Sequence, residues 1–340
     1  MHHQLVLVGF GNVGQALVRL LLRKREQLAR ERGLTFSFTG IATGRHGMAI
    51  DPNGLDAEKA LALAAAGQSI SSLSSVPVPA DSLAFVQACP GTVLFENSPV
   101  NRFTGQPALD HLKAALSKGM HAITANKGPV VHGYRELKAL AAENHCRFMF
   151  ESTVMDGAPI FSLFREPLPC ADLLGFHGIL NSCTNLILTR METGETFEEA
   201  VRYAQSVGIA ETDPSADVDG WDAAIKVAAL STVLMGIPLT PQQVNPQGIS
   251  GLSVEQVAAA KREGKRWKLV CRARREGDSI TASVQPEMVG PDSPLYCING
   301  TSSYVQFALD VLPGLGVVEN DPGPETTAFG LLADFINAAA

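Results

Sequence analysis

The chain has 340 residues, of which 46% are hydrophobic and 18% are charged, and its formal net charge is −7 at pH 7. This length favours two domains, and the composition is typical of a well-packed enzyme and excludes a disordered chain. The negative net charge gives no indication of nucleic-acid binding, and no apolar run is long enough for a membrane span. Six cysteines are scattered without a CxxC pair, and no export signal precedes the first strand, so we expect a reduced, cytoplasmic protein.

A glycine motif lies between the first predicted strand, residues 4–8, and a long helix predicted from Gln15 to about Arg32. The motif is GxGxxG, and its residues are Gly9, Phe10, Gly11, Asn12, Val13 and Gly14. Such glycines allow the tight turn, the close approach of a pyrophosphate and the packing of helix on strand. The N–H groups at the start of the helix would face the phosphates. We therefore predict a dinucleotide site here; the alternative is a glycine-rich structural turn.

The second strand is predicted over residues 35–42, and its end carries no acidic residue for the ribose 2′-hydroxyl of NAD. Instead, Thr43 and Arg45 follow the strand, and an arginine can bind a 2′-phosphate with two hydrogen bonds. This pattern favours NADP, with NAD as the alternative cofactor. Arg45 could also lie at an exposed loop tip.

Two later strands end in polar loops. Residues 92–96 are followed by Asn97, Ser98 and Pro99, and residues 121–124 are followed by a loop that carries Lys127. Because ligands bind at the carboxyl ends of strands in an open α/β sheet, we expect these loops to contact the cofactor. Helices are predicted over 108–118 and 134–144, and a strand over 147–150. The histidines of this region are expected on helical or loop surfaces and suggest no metal site; they are His111, His132 and His145.

The second half of the chain reads as a mixed sheet with helices. A strand at 172–180 ends in the polar run 181–185, helices follow at 186–192 and 196–207, a hairpin is predicted over 268–275 and 279–284, and a last helix over 328–338. We predict an α/β protein with a Rossmann-type dinucleotide-binding domain, 1–150, to which 311–340 return. An α+β domain for substrate binding and dimerisation would comprise 151–310.

The segment 209–226 concentrates four Asp, one Glu and one Lys. Asp222 and Lys226 lie one helical turn apart, at the border of an apolar stripe, so they share a face. A lysine in this position can transfer protons or bind substrate. The alternative is a solvated acidic loop followed by a surface ion pair.

Along nearly its whole length the chain resembles homoserine dehydrogenases, in a short form without a regulatory ACT domain. The matching stretches are GFGNVG (9–14), TGQPALDHLKAAL (104–116), TANKGP (124–129), ESTVMDGAP (151–159), GILNSCTNLILTRM (178–191), AETDPSADVDGWDAAIK (210–226) and DPGPETTA (321–328). The resemblance implies NAD(P)-dependent interconversion of L-homoserine and L-aspartate 4-semialdehyde, in threonine and methionine biosynthesis. A related dehydrogenase of another small amino acid or 3-oxo acid, and a non-catalytic nucleotide sensor, are the alternatives.

The resemblance also implies roles for residues, which follow from their positions in these stretches. Lys226 would transfer the proton and Lys127 would lie at the reacting oxygen. Substrate-binding residues would be Glu211, Asp222, Asn181, Thr184 and Asp213. Gly323 would join the cofactor site, and Asp217 and Asp219 are expected to be structural.

Further implications are a homodimer and a structural Na⁺ or K⁺. The cation would be held by Glu151, Val154 and Gly157, although Met155 and Asp156 replace glycines common in the family. A second departure is Ser182 and Cys183, which replace Gly and Thr of the family's usual motif and are expected to narrow the pocket.

Overall fold

The structure is a computed structural model that describes residues 1–339. Contacts divide the chain into two compact units: the first comprises Met1–Pro159 and the chain from Pro324, and the second comprises Ile160–Gly323. The predicted fold class, a Rossmann-type domain with an α+β domain, is confirmed by the two sheets described below. Within residues 1–339, no helix has the length and apolar character that a membrane crossing requires.

The first unit is built on a six-stranded sheet with the order β3-β2-β1-β4-β5-β6. All neighbouring strands are parallel except β2 and β3. The strands are β1 (His2–Val8), β2 (Thr35–Ala42), β3 (Met48–Ile50), β4 (Val93–Glu96), β5 (His121–Thr124) and β6 (Phe148–Met149). The helices are α1 (Asn12–Arg32), α2 (Ala57–Ala65), α3 (Ser82–Ala88), α4 (Ala108–Ser117), α5 (Lys127–Glu143) and, from the end of the chain, α12 (Pro324–Ala339).

Chain order reverses on either side of β1, because β2 pairs with one edge of β1 and β4 with the other. This reversal is the topological switch point at which open α/β sheets bind ligands. Leu5 and Leu7 of β1 are fully buried, and α1 packs on the sheet through Leu17 and Leu21. The core therefore fixes the switch point, and α1 ends where Gly33 adopts a left-handed conformation with φ 64°.

The second unit contains an antiparallel five-stranded sheet with the order β11-β10-β7-β8-β9. Its strands are β7 (Leu173–Ile179), β8 (Arg266–Glu276), β9 (Ser279–Val289), β10 (Ser303–Leu309) and β11 (Leu315–Glu319). Its helices are α6 (Ile160–Arg165), α7 (Ser182–Met191), α8 (Phe197–Ser206), α9 (Ser215–Val218), α10 (Trp221–Leu234) and α11 (Val254–Arg262).

Several predicted boundaries differ from the structure; among them, the first unit runs to Pro159 and not to 150, and α5 begins at Lys127 and not at 134. The returning segment was expected from residue 311, but β11 pairs with β10 in the second sheet, and the part grouped with the first unit begins at Pro324. Helix α7 begins at Ser182 and not at 186, because the Asn181 side chain accepts a hydrogen bond from the Thr184 N–H and caps the helix. The assignment of dinucleotide binding to the first domain, and of substrate binding and dimerisation to the second, stays a prediction.

Candidate active-site residues

The glycine motif forms the turn between β1 and α1, as predicted, and its three glycines have different surroundings. Gly9 has φ +92°, and a Cβ there would lie 2.3 Å from the Asn97 carbonyl oxygen. A Cβ on Gly14 would lie 2.3 Å from the Gly9 carbonyl oxygen. A Cβ on Gly11 would meet no atom of residues 1–339 within 4 Å. The first and third glycines therefore allow close packing, whereas the second leaves room for a ligand.

The start of α1 offers backbone N–H groups to that space. Gly11 is the capping residue, and no side chain within residues 1–339 bonds to the first turn as a cap. Asn12 is exposed and Val13 is half-buried, while Phe10 is buried in the core. These N–H groups and the room above Gly11 fit the pyrophosphate of a dinucleotide.

A cleft of about 240 Å³ in the first unit is lined by Val13, Asn97, Ser98 and Lys127. The Asn97 amide and the Ser98 hydroxyl are shielded from water, and they make no hydrogen bond to any residue the structure describes. Buried polar groups are almost always bonded, so such atoms lining a cleft are available to a water molecule or a ligand. The cleft therefore offers polar groups to which a cofactor could bond. Pro99, next to Ser98, is exposed.

The β2–β3 turn carries Thr43 and Arg45. The Thr43 hydroxyl donates to the Gly47 carbonyl oxygen at 3.0 Å and accepts from the His46 N–H, so its hydrogen is already used within the turn. Arg45 is exposed, and its guanidinium bonds to nothing within residues 1–339. Of the two residues, only Arg45 remains available to bind a phosphate.

In the second unit, Asn181 joins the acidic side chains of the segment 209–226. Its Nδ2 donates to Asp217 Oδ1 at 2.7 Å and to Asp222 Oδ2 at 3.0 Å. Its Oδ1 accepts from the N–H and the hydroxyl of Thr184, both at 2.8 Å. We call Asn181, Thr184, Asp217, Asp222 and Lys226 the carboxylate–lysine cluster.

Lys226 lies on α10 one turn after Asp222, as predicted. Its Nζ is 3.3 Å from Asp222 Oδ2 and donates to the Leu180 carbonyl oxygen at 2.7 Å. Its side chain is only 15% exposed, because Ala223, Val227 and Leu230 of the same helix are buried beside it. The Asp222 carboxylate and the Leu180 carbonyl oxygen thus bind the ammonium group at the edge of the core. The alternative prediction, a solvated ion pair on the surface, does not fit this position.

Asp217 belongs to this cluster, although sequence reasoning left it as a structural residue. Gly220 has φ 83° and turns the chain between α9 and α10, so residues on both helices reach Asn181. Cys183 is buried there; burial raises the pKa of its thiol, and the Asp217 carboxylate adds to the shift. The thiol therefore stays protonated. The Ser182 hydroxyl contacts the Ser303 hydroxyl at 3.3 Å.

Two other predicted substrate residues are exposed in the single chain. Glu211 is exposed, and its carboxylate makes no hydrogen bond or ion pair within the described chain. Asp213 is also exposed, and its Oδ1 accepts from the Ser215 N–H at the start of α9. Gly323 directly precedes α12. Their functional roles stay predictions.

The expected position of His111 on a surface is wrong. His111 is only 1% exposed, and its Nδ1 lies 3.3 Å from Oε1 of the fully buried Glu96. The apolar residues of α4 at helical spacing, Ala108 and Ala115, are buried on the same side and would have indicated this.

The proposed cation residues Glu151 and Val154 are buried at the turn that follows β6. The Glu151 N–H donates to Asp334 Oδ2 at 2.7 Å. Among residues 1–339, no three His, Cys, Asp or Glu side chains form a group that could hold a metal ion. A monovalent cation bound partly by carbonyl oxygens, with Gly157, stays a prediction.

Comparisons with known proteins identify the family of the chain. Residues 9–151 match the family model "Homoserine dehydrogenase, NAD binding domain" and residues 159–336 match the model "Homoserine dehydrogenase". An NAD(+)-dependent homoserine dehydrogenase of Pseudomonas canavaninivorans is 38% identical over 98% of this chain and 96% of its own length. A homoserine dehydrogenase of Methanocaldococcus jannaschii is 34% identical over 98% and 97%.

A solved structure of a hyperthermophilic archaeal homoserine dehydrogenase in complex with NADPH has a TM-score of 0.82 and 28% identity to this chain, and the match covers 100% of this chain and 98% of that one. The models cover both units, and the relatives match over nearly their full length. The chain therefore belongs to the homoserine dehydrogenase family.

Proposed function

We propose that the NAD(P)-dependent homoserine dehydrogenase activity of this chain uses Lys226 for proton transfer and prefers NADP. Oxidation of L-homoserine to L-aspartate 4-semialdehyde removes a hydride from the carbon and a proton from the hydroxyl group. The observation that carries the proposal is the carboxylate–lysine cluster, in which Lys226 is largely shielded from water and lies 3.3 Å from Asp222. The chain is thus an oxidoreductase of amino-acid biosynthesis.

The cofactor and the side chains of the site have separate roles in the proposed reaction. The bound cofactor supplies the hydride acceptor, and the protein supplies orientation and charge. Lys226, in its neutral form, takes the proton of the substrate hydroxyl, and in the reverse direction it returns that proton. Asp217 and Asp222 are anionic and accept hydrogen bonds from Asn181, and they suit the substrate ammonium group. Lys127, at the cofactor cleft, is proposed to stabilise the charge on the reacting oxygen.

A steady-state assay with L-homoserine and each oxidised cofactor tests this function. We expect turnover with both cofactors and a higher kcat/KM with NADP⁺. In the other direction, we expect L-aspartate 4-semialdehyde to be reduced faster with NADPH than with NADH. Purified protein that turns over neither substrate with either cofactor would contradict the proposal.

The NADP preference rests on Arg45, because the turn after β2 has no acidic residue and the Thr43 hydroxyl is used within the turn. The relatives do not decide the matter, since one is named NAD(+)-dependent and another is bound to NADPH. Arg45→Ala should weaken NADPH binding about 10-fold and leave NADH binding nearly unchanged. The matched control is Arg23→Ala, which removes another exposed arginine of the same unit. Equal losses for NADPH and NADH would refute the phosphate-binding role.

We further propose that the protein is a homodimer, as its family resemblance implies. Apolar side chains on the second sheet are exposed in the single chain, at Leu174, Met288 and Val318. Association of two copies would remove part of this apolar surface from water. Sedimentation equilibrium should give twice the mass of the chain, and a monomer at micromolar concentration would oppose the proposal.

We also propose a Na⁺ or K⁺ held at the turn after β6 by Glu151, Val154 and Gly157. The resemblance of the loop 151–157 to the cation loop of the family supports it, and Glu151 and Val154 are buried there. A melting temperature that is higher in NaCl or KCl than in tetramethylammonium chloride of equal ionic strength is the expected result, and equal melting temperatures would argue against the cation.

A further inference from the structure

A buried hydroxyl group joins the two loops that line the cofactor cleft. Thr124 is the last residue of β5 and is fully buried. Its Oγ1 donates to the backbone carbonyl oxygen of Glu96, the last residue of β4, at 2.7 Å. The same oxygen accepts from the Asn126 N–H at 2.9 Å. One side chain therefore connects the end of one strand to the loop that follows the next strand.

Asn126 continues this connection. Its Oδ1 accepts from the Gly128 N–H at 3.0 Å and so caps α5, while its Nδ2 donates to the Ser98 carbonyl oxygen at 3.0 Å. Lys127 lies between Asn126 and Gly128, so its backbone is held on both sides. The orientation of Asn126 thus sets Lys127 and the Ser98 loop relative to one another.

A second layer of hydrogen bonds supports the first. The Glu96 carboxylate is fully buried, and its Oε1 accepts from the Ser98 N–H at 3.2 Å. His111 contacts the same oxygen at 3.3 Å, and its Nε2 lies 2.8 Å from the Ser82 hydroxyl. Because a buried carboxylate is costly without partners, these bonds fix Glu96 in one position. Hydrogen bonds between buried polar groups therefore hold the carboxyl ends of β4 and β5 in place.

We propose that Thr124 is a positioning residue for the reaction, which holds Lys127 and the Ser98 loop in register through Asn126. Its hydroxyl does not touch substrate or cofactor; it fixes the groups that do. The inference rests on the proposed role of this cleft in cofactor binding. A misplacement of about 1 Å at a reacting group can cost about 100-fold in rate, so a single buried hydroxyl can have a measurable effect on turnover.

The test compares Thr124→Val with Thr124→Ser. Valine has the same shape but leaves the buried Asn126 N–H without its acceptor, whereas serine keeps both hydrogen bonds. We expect Thr124→Val to lower kcat and to weaken NADPH binding, measured by fluorescence titration, each about 10-fold. Thr124→Ser should restore both quantities to within about two-fold of the wild type.

The matched control is Thr39→Val. Thr39 is also fully buried in the same sheet, and its hydroxyl also donates to backbone carbonyl oxygens, those of Leu5 and Pro90. It lies on β2 and does not line the cleft. Thr39→Val should lower the melting temperature and leave kcat and NADPH affinity unchanged, which separates loss of stability from loss of position.

Two results would overturn the inference: wild-type kcat and NADPH affinity in Thr124→Val, or an equal defect in Thr124→Ser. If Thr124→Val does not fold, Asn126→Ser replaces it, since the shorter serine side chain keeps a cap for α5 but does not reach the Ser98 carbonyl oxygen. Unchanged NADPH affinity in Asn126→Ser would also overturn the inference. Failure of the proposed function is distinguishable. If Lys127 has no catalytic role, Lys127→Ala retains turnover, whereas Thr124→Val still weakens NADPH binding.

Discussion

The cofactor cleft of the first unit and the carboxylate–lysine cluster of the second unit differ in how their polar side chains are bonded. In the cleft, the Asn97 amide and the Ser98 hydroxyl are buried and bond to no residue of the described chain. In the cluster, the Asn181 amide bonds at both ends, to Asp217 and Asp222 on one side and to Thr184 on the other. The cleft therefore has polar atoms that remain available to a ligand, whereas the polar side chains of the cluster bond to one another.

This difference indicates how each region responds to its ligand. An unbonded buried polar group costs about 1–3 kcal/mol, so a cofactor that bonds to Asn97 and Ser98 recovers free energy and stabilises the fold. In the cluster, the carboxylates already accept hydrogen bonds, so a substrate ammonium group adds charge pairing to a geometry that is set in advance. If the proposed function is correct, the cofactor region is prepared for binding and the cluster for proton transfer.

Replacing Lys226 separates these two properties with the largest expected effect. Lys226→Ala should lower kcat by about 10²–10⁴, because it removes the proposed proton-transfer group. Cofactor affinity, measured by fluorescence titration, should stay at the wild-type value. The matched control is Lys113→Ala, which removes a lysine paired with an exposed glutamate, Glu136, in the first unit. Wild-type turnover in Lys226→Ala would remove this residue from the mechanism.

Lys268 extends the comparison, because it is a buried cation of the second unit to which no carboxylate of residues 1–339 bonds directly. Its Nζ donates to Asn185 Oδ1 at 2.9 Å, to Asn299 Oδ1 at 3.2 Å and to the Ile298 carbonyl oxygen. Burial lowers the pKa of Lys268 to about 8 from its usual 10.5. Between these values the unfolded chain binds more protons than the folded chain, so this group should make the protein more stable as pH rises.

The size of this contribution is about 3 kcal/mol in the free energy of unfolding across the window from pH 8 to pH 10.5. Urea denaturation of the wild type and Lys268→Met at several pH values from 7.5 to 10 measures it. The difference in unfolding free energy, wild type minus variant, should rise with pH. Lys265→Met, which removes an exposed lysine, is the control and should show no such trend. A difference that stays constant for Lys268→Met would contradict the assignment.

Within the cofactor region, Gly11→Ala and Gly14→Ala should have the smallest effects, and they separate cofactor binding from stability. Gly14→Ala places a Cβ against the Gly9 carbonyl oxygen and should lower stability by about 1–3 kcal/mol. The Cβ of Gly11→Ala meets no atom of the described residues within 4 Å and should leave the unfolding free energy within about 0.5 kcal/mol of wild type. It should nevertheless weaken NADPH binding, because its methyl group occupies the space left for the pyrophosphate. Full NADPH affinity in Gly11→Ala would show that the cofactor does not approach there.

The two regions were not equally predictable from the sequence. The cofactor turn is local: Gly9, Gly11 and Gly14 follow a short apolar strand and precede a helix, so its structure depends on neighbouring residues. Asp222 and Lys226 were also predictable, because they are one turn apart on one helix. The carbonyl partner of Lys226, Leu180, lies 46 residues earlier in the chain, and no local pattern indicates it.

The contacts that the sequence did not indicate have the same cause. The sequence predicts a structural role for Asp217 but does not indicate its contact with Asn181, because Asn181 lies 36 residues earlier and the turn at Gly220 brings the two together. His111 was placed on a surface although it faces Glu96 across the end of β4. Glu211, which the resemblance places with the substrate, is exposed in the single chain, and its role stays a prediction. Side-chain pairs that join distant segments need the tertiary structure.

Rescue of Lys226→Ala by small amines tests the central claim most directly, since that claim assigns proton transfer to the Lys226 amine. With saturating L-homoserine and NADP⁺, added ammonium or methylamine should restore part of the turnover, and the rescued rate should follow the concentration of the neutral amine as pH changes. Lys127→Ala under the same conditions shows whether rescue is specific to position 226. If Lys226→Ala binds NADPH normally but no amine restores turnover, Lys226 is not the proton-transfer group.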